Sequence, residues 1–280
     1  MSEPILPSTL YRYFSFGNWI EKIINGSAIR FQCPLAFNDP FDGRPSISAD
    51  LWDPQIEQYY HDLGKRHGMG RAERRRKIKE LKSQLEVTGG RGAISAELLE
   101  GLMAKYGLLC LTPHADNLLM WSHYGDSHKG LCIAFDTTKD FFRTAVAITY
   151  QDEYPLIKIG VSSNDDILNK SIYTKASCWK YEDEWRVPKQ TWSDNETRSH
   201  HEMASKNWPD EDDVRNLVDH RGPGDYEFNK AAVKAVILGA RMHEVQEKQI
   251  AEWIRQHNPD VQLLKAKCHE HEYRLVIASS

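Results

Sequence analysis

The sequence lacks the signatures of the commonest enzyme classes. Its 280 residues contain no G-x-x-x-x-G-K-[ST], no G-x-G-x-x-G after a strand, no G-x-S-x-G and no H-E-x-x-H. Phosphate-loop, Rossmann, hydrolase-elbow and zincin chemistries are thereby set aside. No apolar run reaches the roughly 18 residues that a membrane-spanning helix needs. The opening MSEPILPSTLYRYFSF has no basic segment followed by an apolar one, so it does not read as a secretory leader. The five cysteines (Cys33, Cys110, Cys132, Cys178, Cys268) are odd in number and form no C-x-x-C pair. They read as reduced thiols rather than a disulfide framework, which predicts a cytoplasmic protein without membrane contact. Cys268-His-Glu-His271 has ligand-type residues without the spacing of a standard zinc site, so no metal is expected.

What is present supports a packed fold. Hydrophobic residues make up 40% and charged residues 27% of the chain, a balance that allows a core and argues against global disorder. The net charge of −4 gives no overall case for nucleic acid, but the charge is unevenly spread. Between Lys65 and Lys82 nine Lys and Arg stand against two acids, on a pattern with Ile78, Leu81 and Leu85 as an apolar helical stripe. Arg74, Arg75, Arg76 and Lys77 are its densest part. They could meet nucleic acid or an acidic protein, or simply form a solvated face. Residues 53–106 thus read as a basic helical insertion in a single domain over 1–280. Residues 190–228 read as a polar, acidic flap or insertion with Trp192 and Trp208 as anchors. The remainder alternates irregularly between strands and helices. Strands are expected near 9–14, 27–32, 107–112, 129–136, 144–150, 232–239, 261–266 and 273–278, and helices near 16–25, 96–106, 116–125 with Asp116 or Asn117 as cap, and 244–257. That predicts an α+β fold rather than a repeating βαβ sheet.

The densest chemistry is Lys180-Tyr-Glu-Asp-Glu-Trp-Arg186. As a strand it would turn Glu182, Glu184 and Arg186 to one face, and like charges that close need a cation, a hydrogen bond or a substrate. In Thr9–Phe14 the same alternation puts Arg12 with Leu10 and Phe14, and Tyr11 with Tyr13. An arginine on an apolar face asks for an anionic partner. Phe37-Asn-Asp-Pro-Phe-Asp-Gly43 is turn chemistry: Asn38 and Asp39 form either an Asx-turn or the floor of a pocket. Ser122, His123 and Asp126 are too close in sequence for a nucleophile–base triad.

Four blocks, LYRY (10–13), FNDPFDG (37–43), LLMWSHYGDSHKGLCIAFD (118–136) and WKYEDEWR (179–186), resemble in order and spacing the bacterial family called domain of unknown function 2971. That resemblance carries no activity. The block order is also similar to ADP-ribosyltransferases of a divergent Arg-Glu type, and this second likeness implies a split mixed β-sheet core with NAD as a substrate. Under it, Glu184, Glu182 and Tyr124 would be catalytic, with Glu184 favoured because it lies between Glu182 and Arg186. Tyr11, Arg12, Tyr13, Asn38, Asp39, Ser122 and His123 would contact NAD. The chemistry suits those residue types: a carboxylate stabilises an oxocarbenium-like ribosyl cation, an arginine forks onto pyrophosphate and an aromatic ring stacks on nicotinamide. The sequence departs from that pattern by having MWSHYG where the arginine-modifying branch has Ser-Thr-Ser. A toxin–antitoxin or antiphage role, with an antitoxin as partner, belongs to the same reading. Two others compete with it: a recognition module in which Arg and Glu form a structural network, and a metal-independent nuclease using Glu182, Glu184 and His123.

Overall fold

The computed structural model describes residues 4–48, 53–88, 100–158, 161–208 and 211–279. The chain forms two compact units: Met1–Cys33 with Lys105–Ile148 and Cys178–Ser280, and Pro34–Ala104 with Thr149–Ser177. The architecture is mixed α+β. Among the described residues no helix is long and apolar enough to cross a membrane.

The first unit is built on a five-stranded sheet. Its strands are β1 (Thr9–Phe14), β5 (Leu131–Asp136), β12 (Val233–Leu238), β13 (Gln262–Cys268) and β14 (Leu275–Ser279), in that order. Only β12 and β13 run parallel; the other neighbours are antiparallel. Alternation explains why both faces are covered. In β5, Leu131, Ile133 and Phe135 enter the main core, and Cys132 enters a smaller cluster. β1 divides in the same way: Leu10 and Phe14 go to the main core and Tyr13 to the smaller cluster. Helices α1 (Trp19–Ile24) and α8 (Glu244–His257) supply Ile20, Ile23, Ile24, Ile250, Trp253 and Ile254 to the main core. Each such fully buried side chain contributes on the order of 2 kcal/mol. On the other face α4 (Leu118–His123) inserts Met120 and Trp121.

A three-stranded antiparallel sheet abuts the first. Its order is β4 (Tyr106–Leu111), β10 (Trp185–Gln190) and β6 (Val146–Ala147). Leu109, Leu111, Trp185 and Val187 face the main core. The seam between the sheets is one bridge, Tyr11 N to Thr112 O at 2.7 Å and Thr112 N to Tyr11 O at 2.9 Å. The short strand β2 (Ile29–Phe31) pairs with β11 (Gly224–Tyr226) and touches β4 through Gln32 and Leu108.

Residues 190–228 contain helices α6 (Asp194–Asn207), opened by a Ser193–Glu196 capping box, and α7 (Glu211–Val218). Ala204, Val214 and Val218 form a small core with Trp192 and Trp208 against it. Trp192 stacks on His220 with ring centres 3.5 Å apart. Beneath, the buried Lys189 donates to the carbonyls of Asn216 (2.6 Å) and Leu217 (3.2 Å) at the end of α7.

The second unit holds α2 (Pro54–Arg66), α3 (Arg71–Thr88) and α5 (Asn164–Ile172). Two parallel strand pairs accompany them, β3 (Ser46–Ser48) with β8 (Leu156–Lys158) and β7 (Thr149–Gln151) with β9 (Thr174–Ala176). Asp53 caps α2 through Gln55 N and pairs with Lys158 at 2.7 Å. A helix expected over 96–106 falls partly on residues outside those described; helix is present over 100–103, and Tyr106 already begins β4. The single strand expected over 144–150 is two short ones, β6 and β7, joined to different partners.

Candidate functional site

The stretch expected to be one strand is instead a turn leading into a strand. Ser177–Glu182 is a 3-10 helix, and β10 begins only at Trp185. Asp183 between them has φ 46°, a left-handed conformation that aspartate tolerates better than most residues. The reason lies in who satisfies the backbone. Asn117 Nδ2 donates to the Tyr181 carbonyl at 2.8 Å, and Thr112 Oγ1 donates to the Glu182 carbonyl at 2.6 Å. Side chains take the place of a strand ladder and hold the turn. Asn117 also caps α4, its Oδ1 accepting from Leu119 N at 3.0 Å and Met120 N at 3.2 Å.

This turn sends the two glutamates to different partners. Glu182 is buried, and its Oε1 accepts from the Tyr124 hydroxyl at 2.7 Å. Glu184 is buried against Arg186, with Nε to Oε1 at 2.7 Å and Nη2 to Oε2 at 3.1 Å. Arg186 is 0% exposed, so this is an interior, two-pronged ion pair of the kind whose members depend on each other. Glu184 also meets the Cys110 thiol, which burial first and then the neighbouring carboxylate push well up.

Tyr124, the partner of Glu182, is one end of a run of neighbouring aromatics. His123 and Tyr124 have centres 6.2 Å apart, His123 and Tyr181 6.4 Å, and Trp179 and Tyr181 6.0 Å. His123 is exposed, and Tyr124, Tyr181 and Trp179 are half-buried. His114 Nε2 approaches Asp183 Oδ2 at 3.4 Å. Tyr124 is followed by a tight loop in which Asp126, Ser127 and His128 all have positive φ (48°, 53° and 68°). Three such residues in succession cost roughly 1–3 kcal/mol each. The loop is retained because His128 stacks on Trp121, its N–H reaches the Trp121 carbonyl at 3.2 Å, and Gly130 N closes onto Gly125 O at 2.8 Å.

The remaining residues singled out in the sequence divide by location. Tyr11 and Tyr13 lie on the Tyr124 side of β1, where Tyr13 packs edge-on to Trp121 at 5.0 Å and donates to the His114 carbonyl at 2.8 Å. Burial raises the pKa of both tyrosines. Ser122 is exposed and its hydroxyl donates to the Leu118 carbonyl at 2.9 Å; the imidazole beside it, at 3.3 Å, is His128 and not His123. Arg12 lies on the opposite face of β1, over the Phe14 ring at 5.3 Å, with Nη1 donating to the Arg30 carbonyl at 3.1 Å. Burial lowers its pKa, while Cys110 and Glu184 raise it, so Arg12 is within electrostatic reach of Glu184. In short, Glu182, Tyr124, His123, Tyr11 and Tyr13 are brought together, and Arg12 with Glu184 is not part of that group.

Asn38 and Asp39 belong to the second unit. Asp39 Oδ1 accepts from Phe41 N at 2.9 Å, which is an Asx-turn, and Asn38 is exposed. On α3, Arg74 folds back to the Met69 carbonyl, Arg76 pairs with Glu80 at 3.7 Å, and Arg75 and Lys77 are exposed. Cys268, Glu270 and His271 lie exposed near the β13–β14 turn. Among the described residues no cluster of three His, Cys, Asp or Glu could hold a metal ion.

Sequence reading missed the two clamps, Thr112 and Asn117 Nδ2. The cap signal pointed to Asp116 or Asn117 without revealing that Asn117 has a second partner 64 residues away. Tyr181 and Trp179 were visible only as aromatics in a charged run.

No curated protein and no solved structure matches the chain. A family model described as "Protein of unknown function (DUF2971)" matches residues 120–187, from α4 through the strained loop to the start of β10. Over that span, which carries Tyr124, Glu182 and Glu184, the chain is similar to the family of domain of unknown function 2971.

Proposed function

We propose that the protein is an NAD⁺-dependent ADP-ribosyltransferase in which Glu182 is the catalytic carboxylate. The observation that carries this reading is the 2.7 Å hydrogen bond to Glu182 from Tyr124, a half-buried ring that neighbours the exposed His123. Two carboxylates two residues apart have unlike surroundings, and unlike surroundings assign unlike roles. Glu184 is committed to Arg186. Glu182, itself buried, accepts a hydrogen bond from Tyr124, whose ring is half-buried.

The step suits this arrangement. The bond from ribose C1′ to the pyridine nitrogen breaks, its electron pair goes to the ring, and neutral nicotinamide leaves. The ribosyl cation is stabilised by the Glu182 carboxylate. An acceptor O–H or N–H then forms the new bond to C1′ and gives its proton to a base, a role Glu182 can take once the cation is gone. Tyr181, Tyr124 or His123 offers a face for nicotinamide. The acceptor belongs to the same proposal: a nucleic acid or an acidic protein held by Arg75 and Lys77. A toxin–antitoxin or antiphage setting, with a neutralising partner, is consistent with an activity that drains NAD⁺ or alters nucleic acid.

The test is transfer of labelled ADP-ribose from NAD⁺ to RNA, DNA or protein from a bacterial lysate. Label on an acceptor with wild type and none with Glu182→Gln supports the proposal; no label with either and no nicotinamide release removes it. A second reading, a recognition module without catalysis, is favoured by the buried Glu184–Arg186 pair, which has the form of a structural element. It predicts normal partner binding and no NAD⁺ turnover at all.

A further inference from the structure

On the Arg12 side of β1 lies a cavity of about 410 Å³ whose polar and aromatic lining is Arg12, Phe14, Trp19, Lys22, Arg30 and Asp225. Arg12, which the transferase resemblance would place on NAD, lies here instead, and the step proposed for Glu182 does not use the cavity. Three cations share it with one carboxylate, and that carboxylate is paired with Arg30 at 3.3 Å. Like charges around one concavity repel each other and focus a positive potential, which an anionic ligand relieves.

The aromatic part is equally specific. Trp19 is 41% exposed although it packs edge-on to Phe14 with ring centres 5.2 Å apart. Phe14 thus contacts both the Trp19 indole and the Arg12 guanidinium. Trp19 and Lys22 are three residues apart on α1, a spacing that puts both on one side of a helix. The indole position also depends on Gly17, where any side chain would run into the Trp19 ring.

We propose that this cavity binds a nucleoside 5′-phosphate. The phosphate lies among Arg12, Lys22 and Arg30, with Arg12 able to present two parallel N–H donors. The base stacks on Trp19, a contact that tolerates any base because each has a flat face. Because Glu182 and Tyr124 are on the other face of β1, this site is separate from the proposed reaction centre and does not depend on it.

The experiment is isothermal titration of AMP into the full chain, with adenosine and inorganic phosphate as comparison probes. AMP is expected to bind at least roughly tenfold more tightly than either half alone, about 1.4 kcal/mol. Lys22→Glu and Arg30→Ala, both at exposed positions, are expected to weaken AMP about tenfold or more, and Trp19→Leu to remove the advantage of AMP over phosphate. Glu182→Gln is expected to leave AMP affinity unchanged. Absence of AMP binding, equal affinity for phosphate and AMP, or an affinity that Lys22→Glu and Arg30→Ala leave intact overturns the proposal. Loss of AMP binding in Glu182→Gln with folding preserved overturns it too, by moving the ligand to the other face. Failure of ADP-ribose transfer with AMP binding intact leaves this site standing and removes only the transferase reading.

Discussion

Glu182 and Glu184 are two residues apart and chemically unlike, and several expectations follow from that difference. Glu184→Gln takes one carboxylate from the two-pronged pair with the buried Arg186, so stability should fall, by up to roughly 3–5 kcal/mol as for other broken buried pairs, and thermal denaturation will read it. Tyr124→Phe removes one hydrogen bond, a change of about 1 kcal/mol in stability. Its effect on NAD⁺ turnover should be larger, because Glu182 loses its orienting partner. Lys189 adds a pH dependence. Burial lowers its pKa to about 7, partly opposed by Asp140 and Asp219, against 10.5 for an ordinary lysine. Between those values the unfolded chain holds a proton that the folded chain has released, so stability rises with pH across that window. Below it, both states are protonated and the folded state bears the whole penalty. Melting temperatures at neutral and mildly alkaline pH should therefore diverge in wild type and converge in Lys189→Met. The expectation that one strand carries Glu182, Glu184 and Arg186 on one face was not correct, because the strand begins only at Trp185. That the carboxylates of KYEDEWR need a partner was legible in the sequence. The left-handed Asp183 was not, because no glycine marks it and its cause is Thr112 and Asn117, distant in the chain.

At the level of elements, what depends on local pattern was readable and what depends on remote partners was not. β1, α8 and the capped helix α4 follow from alternation, 3.6-residue periodicity and an Asn cap. Division of residues 144–150 into two strands follows from partners in separate sheets, which no local pattern contains. Placing Arg12 on the Leu10 and Phe14 face was also correct from alternation, but its cavity is completed by Lys22 and Arg30 on other elements. Asn117 links two elements, so its loss should register twice. Asn117→Ala removes the α4 cap, worth about 1 kcal/mol, and releases the Tyr181 carbonyl. Asn117→Asp keeps the cap and still loses the donor to Tyr181. If that donor positions Glu182, both variants lose turnover while only Asn117→Ala loses the cap contribution, which paired melting and NAD⁺ assays will separate.

For the whole molecule, the balance of −4 hides an asymmetry. The second unit carries the basic helix α3, and the first carries both the Tyr124–Glu182 pair and the Arg12 cavity. Arg75 and Lys77 are exposed, so reversing both to Glu should leave the melting temperature unchanged within about 0.5 kcal/mol of stability. If α3 holds a phosphate backbone, the same double variant will bind RNA or DNA more weakly, and the salt dependence of binding will become shallower by about two phosphate contacts. Unchanged affinity and slope would make α3 a solvated face.

The most direct measurement is nicotinamide release from NAD⁺ by wild type, Glu182→Gln and Glu184→Gln, each at matched concentration of folded protein. The account predicts release by wild type, loss of roughly a hundredfold or more in Glu182→Gln with an unchanged melting temperature, and partial activity with a lowered melting temperature in Glu184→Gln. Full activity of Glu182→Gln, or selective loss in a stably folded Glu184→Gln, would contradict it.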